Sequence, residues 1–386
     1  MATLMLTCRQ IDLVLLLSER VPLQSWAQKG MLERELALYR AMQPHLRSIT
    51  LLSDGNRHEL DFRPQVPGMH ILCNRWGLRP WHYQRWLKMP WRGWQRGHVL
   101  FKSNQLSSAL LGLSLANHFK QKSITRCGYL LSEFAALHHG AASLARVRAF
   151  SREHRAFHGA HRAVVTTPHM HSLLQQRYGI DPQKIFVQPN YVDCDLFQPA
   201  PRVQQNATTQ RLLLVGRLHP EKNILALLQA MIGLPKLHLD LIGQGEQLET
   251  LQQFVAQQAL SVTFHGALPH RALVDFYQQC DLFVLPSLQE GHPKALLEAM
   301  ACGAPVLASD APGNRDVVMH GNNGWLCQTD SASIRHALQQ LLPNQAQRQS
   351  LGQQARHYAL QEVSLPVIAA REMALYEAIF NDSQRP

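Results

Sequence analysis

From residue 211 onward, short apolar runs and amphipathic stretches alternate with a regularity that few folds accept. RLLLVG (211–216), LHLDLIG (237–243), VTFHG (262–266), DLFVLPS (281–287) and PVLASD (305–310) are runs of five to seven residues bounded by Gly, Pro or polar residues. Between them lie NILALLQAMIGL, EQLETLQQFVAQQAL, RALVDFYQQC and PKALLEAMACG, and a last helix is expected near 331–342. Runs this short and this apolar predict strands buried on both faces. Roughly ten-residue amphipathic connections predict crossover helices, so the pattern reads as β/α units on a parallel sheet. The expected fold class is α/β.

The first half repeats the pattern with more noise. Strands are expected at 11–17, 48–53, 69–73, 98–103, 123–127, 163–166 and 184–188, with a helix around 31–43. At 386 residues the chain exceeds what one core usually serves, so two domains are expected. The polar, Pro/Asn-rich segment 189–211 reads as the linker, giving domains at 1–200 and 201–362. Residues 363–386 then hold a closing helix that crosses back to the first domain, and the two doubly wound domains would face a central cleft. No apolar run approaches the ~18 residues of a membrane span. IDLVLLL (11–17) reads as a buried strand rather than a signal peptide, because it is short and lacks a basic leader. Seven cysteines without a C-x-x-C pair fit a reducing, cytoplasmic setting, and the 21 histidines form no clear ligand set, so no metal is expected. The net charge of +11 lies wholly in the first half: residues 1–200 hold 25 Lys and Arg against 12 Asp and Glu, and residues 201–386 hold 13 against 15. An anionic partner is therefore expected for the N-terminal domain.

Ligands of parallel α/β sheets bind beyond the carboxyl ends of the strands. GRLHPEKN follows the strand at 211–216 and places Arg217 and Lys222 where a planar fork and a point charge can clamp a diphosphate, with Gly216 allowing the turn. A solvated surface turn is the competing reading. GQGEQ, with Gly243 and Gly245, opens a helix whose N–H groups favour an anion, but it lacks the third glycine of a dinucleotide fingerprint. The stretch SLQEGHPKALLEAM (287–300) puts Glu290 in a loop and Glu298 within a helix, with Pro293 suited to the first helical turn. Eight helical positions span about 12 Å. That is too far for two carboxylates to act on one bond. It suits gripping the two ends of one elongated ligand, with the N–H groups of Gly291, His292 and Lys294 between them. DCD (193–195) matches a D-x-D metal motif but sits in the linker, where a turn explains it.

VGRLHPEKN, LIGQGE, FHGALPH, DLFVLPSLQEGHPKALLEAMACGAPVLASDAPGNRDVVMHGNNGWL and VQPNYVDCDLFQP, in this order of kind if not of position, resemble family 4 retaining glycosyltransferases of the GT-B fold. The resemblance covers residues 163–340 well and the N-terminal half more faintly, through LFKSNQ and ITRCGYLLSEF. It implies two Rossmann-like domains and a nucleotide-sugar donor, UDP- or GDP-linked, with no other cofactor. It implies that Arg217 and Lys222 bind the donor diphosphate, that Glu298 binds the ribose hydroxyls and that Glu290, with main-chain groups of Gly291, His292, Pro293 and Lys294, contacts the transferred sugar. Gly266, Ala267 and Leu268 would line the base. Gly30, Lys102, Asn104, Gln105, Arg126, Gly128 and Tyr129 would close over the sugar or the acceptor, a glycan or lipid-linked glycan. Two departures stand out: His292 replaces a more usual apolar residue, and SERVPLQSWAQKG replaces a double glycine before Gly30. A GT-B epimerase or sugar phosphorylase, and a non-enzymatic membrane or nucleic-acid module, are the alternative functions.

NRWGLRPWHYQRWLKMPWRGWQRG (74–97) holds five of the seven tryptophans and six Arg or Lys residues. Trp favours bilayer interfaces and Arg/Lys meets anionic headgroups, so an anionic membrane surface is one reading and a peripheral position on the inner face of the cell membrane follows from it. An ordinary packed helix and loop is the second. A nucleic-acid site is the third and least favoured. Pro80 and Pro90 exclude one long amphipathic helix.

Overall fold

The computed structural model describes residues 6–90, 93–140, 142–201 and 209–381. Trp91 and Arg92 of the tryptophan segment, and 202–208 of the expected linker, lie outside the described residues. The chain divides into two compact units, one of residues 1–189 with 368–386 and the other of residues 190–367.

In the first unit β1 (Ile11–Leu16), β2 (Ser48–Leu52), β3 (His70–Leu72), β4 (His98–Ser103), β5 (Lys122–Cys127), β6 (Arg162–Val165) and β7 (Ile185–Val187) form a parallel sheet in the order β3-β2-β1-β4-β5-β6-β7. β1 lies between β2 and β4, with Leu13 opposite both Ile49 and Leu100. Its run of Leu13 to Leu16 is buried throughout, as a strand covered on both faces requires. The helix Leu365–Asn381 belongs to this unit from Ile368 on. The Cys8 N–H donates to Glu377 Oε1 at 2.9 Å, the Leu6 N–H to Asn381 Oδ1 at 3.0 Å, and Gln188 Nε2 to the Ile368 carbonyl at 2.9 Å. These bonds fasten the last helix beside β1 and β7.

His161 precedes β6, and its Nδ1 accepts the Ser123 N–H at 3.2 Å. Burial first, then Lys122, Lys184 and Arg162, push its pKa from 6.5 down to about 4. Between those two values the unfolded chain binds the proton that the folded chain refuses, so stability falls as pH drops from 6.5 towards 4. We expect the urea midpoint of the protein to fall more steeply over this range than that of His161→Gln; parallel slopes would show that His161 does not titrate this way.

In the second unit β8 (Gln210–Val215), β9 (Leu237–Ile242), β10 (Val262–Gly266), β11 (Leu282–Leu285), β12 (Val306–Ser309) and β13 (Trp325–Cys327) form a parallel sheet in the order β10-β9-β8-β11-β12-β13. The order reverses between β8 and β11, the kind of switch point where the two flanking strand ends diverge and leave a crevice. Strand positions expected from the sequence agree to within a residue or two. β13 was not anticipated, because three residues are too few for a period. Neither was the helix Gln345–Tyr358, whose Gln- and Arg-rich sequence hides a thin buried stripe of Leu351, Gly352 and Ala355.

The division between the units falls at Pro189 and Asn190, ahead of the boundary near 200 that composition suggests. Val192, Cys194 and Phe197 lie in the core of the second unit, and Arg356 Nη1 donates to the carbonyls of Phe197 and Ala301 at 2.8 and 2.6 Å. Asp193 Oδ1 accepts the N–H groups of Asp195 and Leu196, each at 3.1 Å. That turn uses the carboxylate of the D-x-D sequence to cap its own backbone.

Candidate functional site

The loops after β8 and β11 flank the switch point of the second sheet and carry the charged residues of interest. Past β8 the chain turns through Gly216 and Arg217 into a short 3-10 turn, Pro220–Lys222, and Asn223 then adopts φ of 55°. Asn223 Nδ2 donates to the carbonyls of Pro286 and Thr329 at 3.1 and 2.7 Å. This ties the β8 loop to the end of β11. Across the switch point the Lys222 ammonium pairs with the Glu290 carboxylate, both side chains being mostly buried. Ser287 Oγ donates to the same carboxylate at 2.7 Å.

The loop holding Glu290 is braced on three sides. The Leu288 N–H donates to the Glu221 carbonyl at 2.8 Å, the Glu290 N–H donates to the Pro312 carbonyl at 3.0 Å, and the Ser309 hydroxyl donates to the Ser287 carbonyl. Gly313, at φ of 83°, lies so close that a Cβ there would stand 2.4 Å from the Glu290 carbonyl oxygen. Only glycine fits. Asn190 completes the hold: its Nδ2 donates to the His292 carbonyl at 2.7 Å and its N–H to His292 Nδ1 at 3.3 Å. His292 is thus fixed through both its ring and its backbone. Pro293 stands at the N-cap, one position before the first helical residue expected for it, and Lys294 begins the helix Lys294–Ala301.

Arg217 is 66% exposed and its guanidinium donates to Glu221 Oε1 at 2.6 Å. His219 Nε2 lies 3.4 Å from Glu246. The β8 loop therefore presents two cations, Arg217 and Lys222, each already beside a carboxylate. Glu298 is 5% exposed and bonded on both oxygens, to His270 Nε2 at 2.8 Å and the Tyr277 hydroxyl at 2.9 Å. Glu290 is gathered to the β8 loop and Glu298 to the segment that follows β10. Gly266, Ala267 and Leu268 lead directly into His270, so the Glu298 carboxylate is anchored to the end of that short loop.

Gly243 and Gly245 do a different job from the one their spacing suggested. The Gly243 N–H donates to the Gly266 carbonyl at 2.8 Å. A Cβ at Gly243 would stand 1.7 Å from the Gly216 carbonyl oxygen, and one at Gly245 would stand 2.3 Å from that of Leu218. The helix of this region starts only at Leu248. The two glycines let the β8 and β9 loops lie against each other, which sets the course of Gly216 and Arg217.

His270, Tyr277, Ser309 and Asn190 were not singled out from the sequence. One signal was available: Glu298 interrupts an apolar run, Leu296 to Met300, that is buried throughout. A carboxylate at such a position needs donors.

In the first unit, Asn104, Gln105, Arg126 and Gly128 come together beyond β4 and β5. Arg126 Nη1 donates to the Asn104 carbonyl at 3.3 Å, and the Gly128 N–H donates to Gln105 Oε1 at 3.1 Å. Tyr129 is exposed beside them. Lys102 is a correction. It is fully buried and its ammonium pairs with the Glu372 carboxylate, with the rings of Tyr39 and Tyr376 within 6 Å. Its side chain points to the face of the sheet that carries the C-terminal helix, so it cannot touch a ligand. Burial foremost, with Arg126 adding, lowers its pKa against the pull of Glu372. Gly30, at φ of 64°, follows the short helix Leu23–Gln28, with its N–H bonded to the Ala27 carbonyl at 3.0 Å.

Two doubly wound parallel sheets, one of them with acids and cations gathered at its switch point, define a GT-B-like α/β protein. The structure of Anabaena HepE in complex with UDP and glucose superposes with a TM-score of 0.76, covering 95% of this chain and 99% of that one at 18% identity. That likeness is one of fold. Residues 200–358 match the family described as glycosyl transferases group 1. That match lies wholly within the second unit. Among curated proteins it is 34% identical over 173 residues to a GDP-mannose-dependent alpha-mannosyltransferase of Mycolicibacterium smegmatis, covering 43% of this chain and 42% of that protein. It is 30% identical over 182 residues to a UDP-Gal:alpha-D-GlcNAc-diphosphoundecaprenol alpha-1,3-galactosyltransferase of Escherichia coli, covering 41% and 45%. The chain spans about half the length of the curated relatives it matches.

Proposed function

We propose that this protein is a retaining glycosyltransferase that moves a sugar from a nucleoside-diphosphate sugar to a glycan or lipid-linked glycan in the synthesis of a cell-surface polysaccharide or glycolipid. The observation that carries this is the Lys222–Glu290 pair across the switch point of the second sheet, with Arg217 exposed on the same loop. Breaking the anomeric C–O bond leaves negative charge on the diphosphate and positive character on the sugar. Lys222 and Arg217 stand at one strand end to take the first, and Glu290 stands beside Lys222, placed to meet the sugar. A diphosphate carries more charge than the carboxylates that now hold these cations, so donor binding draws Lys222 and Arg217 to itself and releases Glu290 towards the sugar.

Glu298, fixed by His270 and Tyr277, keeps lone pairs for the ribose hydroxyls. The loop Gly266–Ala267–Leu268 takes the base, and the main chain from Gly291 to Lys294 takes the sugar, with Gly216, Gly243 and Gly245 setting the shape of the phosphate loop. No enzyme nucleophile is assigned: the departing phosphate takes the acceptor proton on the face it leaves. In the first unit, Asn104, Gln105, Arg126, Gly128, Tyr129 and Gly30 form the acceptor side. The donor is UDP- or GDP-linked, as it is for the two transferases of Escherichia coli and Mycolicibacterium smegmatis, and the reaction is cytoplasmic; seven unpaired cysteines, six of them buried, fit that setting.

The test is a thermal-shift screen of nucleotides and nucleotide sugars, followed by assay of nucleotide release with and without acceptor glycans. A ligand at 100 times its Kd stabilises by about 2.7 kcal/mol. UDP or GDP is expected to give such a shift and adenine nucleotides none. A screen in which no nucleoside diphosphate shifts the transition defeats the reading.

A further inference from the structure

We propose that the first unit docks on an anionic lipid bilayer through two helix starts, those of Pro80–Leu87 and Leu144–Gly159, which the sheet topology brings to one layer and one end. Phe101 and Lys102 alternate across β4. Lys102 faces Tyr39, Tyr376 and Glu372, while Phe101 packs in one cluster with Tyr83, Leu87 and Phe119. The register pairs Phe101 with Ser123, so Thr125 and Cys127 lie on the Phe101 face. Thr125 Oγ1 donates to the Ala156 carbonyl at 3.1 Å, and Cys127 packs in one cluster with Ala156 and Phe157. Both helices therefore cover the same face of the sheet.

Their level along the strands is fixed as well. The Tyr83 hydroxyl donates to the Ser53 carbonyl at 2.9 Å, just past β2. Arg152 pairs with Glu19 at 3.3 Å and donates to the Ser107 carbonyl at 3.3 Å, just past β1 and β4. Trp81 and Trp76 precede Tyr83. Leu144 and Val147 precede Arg152 by about 12 and 8 Å of helix. All four stand beyond the carboxyl edge of the sheet, on strand positions about 14 Å apart at the usual spacing.

Their exposure is what a packed interior does not leave: Trp76 is 51% exposed, Trp81 54%, Leu144 73% and Val147 60%. Trp94 of the same sequence segment is instead packed edge-on against Phe101 and Phe119. The structure thus divides the tryptophans that the sequence groups together. Arg75, Arg79, Arg85, Arg148 and Arg155 are exposed on the same two segments. Residues 74–97 hold no acid, and Glu153 on the second helix is fully buried, bonded to the Ser132 N–H. Trp seats at the headgroup level and Arg meets anionic lipid. Leu144 and Val147 have no ring to stack on a base, which favours acyl chains over nucleic acid as their partner. The edge concerned is the one that also carries Asn104, Gln105 and Tyr129, so a lipid-linked molecule held in the bilayer reaches these residues without leaving it.

The test is flotation of the full chain with vesicles of phosphatidylcholine, with and without phosphatidylglycerol. Recovery is expected only with phosphatidylglycerol and is expected to fall at high salt. Trp76→Ser with Trp81→Ser, and Leu144→Ser with Val147→Ser, are each expected to cut the floated fraction by about tenfold, on the scale of losing two inserted side chains. Arg79→Glu with Arg148→Glu is a second, purely electrostatic variant expected to abolish recovery. Thermal unfolding and donor hydrolysis are expected to stay unchanged in all three. No flotation, equal flotation on neutral vesicles, loss with only one of the apolar pairs, or displacement from anionic vesicles by a single-stranded oligonucleotide overturns the proposal. Donor hydrolysis is read separately, so failure here leaves the transfer reaction standing.

Discussion

Lys222→Ala is expected to lower kcat by about 100-fold or more, the scale of removing one preorganised group from developing charge. The ammonium sits on the Glu290 carboxylate at the switch point, and both side chains are largely out of water. An exchange of that partner for a diphosphate during reaction places the charge where the bond breaks, so its loss falls on the chemical step. Truncation also takes the Lys222 bond from Glu290 and leaves it the one from Ser287, a stability cost of about 2 kcal/mol for a charged hydrogen bond. Steady-state kinetics with the donor identified by thermal shift, alongside the melting temperature, separate the two effects. Arg217→Ala provides the contrast. Arg217 is exposed, and its ion pair with Glu221 is worth little in stability, so the melt is expected to hold while turnover falls. Unchanged kcat in Lys222→Ala removes this residue from the mechanism.

The largest stability effect is expected at Glu372. This carboxylate is 1% exposed and partners the fully buried Lys102. Glu372→Ala leaves an ammonium in the interior beneath two tyrosine rings, at a cost of about 3–5 kcal/mol. Burial already holds the Lys102 pKa down, and losing the one anion that raises it pushes the group further towards its neutral form. Urea unfolding followed by fluorescence measures the loss. Lys102→Met with Glu372→Leu is expected to recover much of it, because paired removal leaves no uncompensated charge. A single variant within about 1 kcal/mol of the parent contradicts the geometry, since surface substitutions commonly stay near that range.

Most of the sheet architecture was legible in the chain because strands covered on both faces are written as unbroken apolar runs, and β1 and β8 are plain cases. Short or thinly striped elements were not, as β13 and the helix Gln345–Tyr358 illustrate. The Val192, Cys194 and Phe197 positions look like linker because acids and prolines surround them. The polar site residues stood out for the opposite reason. Arg217, Lys222, Glu290 and Glu298 follow apolar strands or interrupt apolar helices, where a charge is costly without a partner.

What the sequence determined by itself is the order of the β/α units and the charged residues at their carboxyl ends, since both follow from local periodicity. The partners were settled by how the elements pack. That packing put Lys222 on Glu290 across 68 positions, Glu298 on His270 and Tyr277, and Lys102 on Glu372 across 270. Lys102 shows the reason most clearly. It lies one residue from the end of β4, and the alternation of side chains along that strand turns it to the face where a helix from the far end of the chain supplies its anion. No local pattern encodes such a pairing, because its two halves meet only when the sheet is covered.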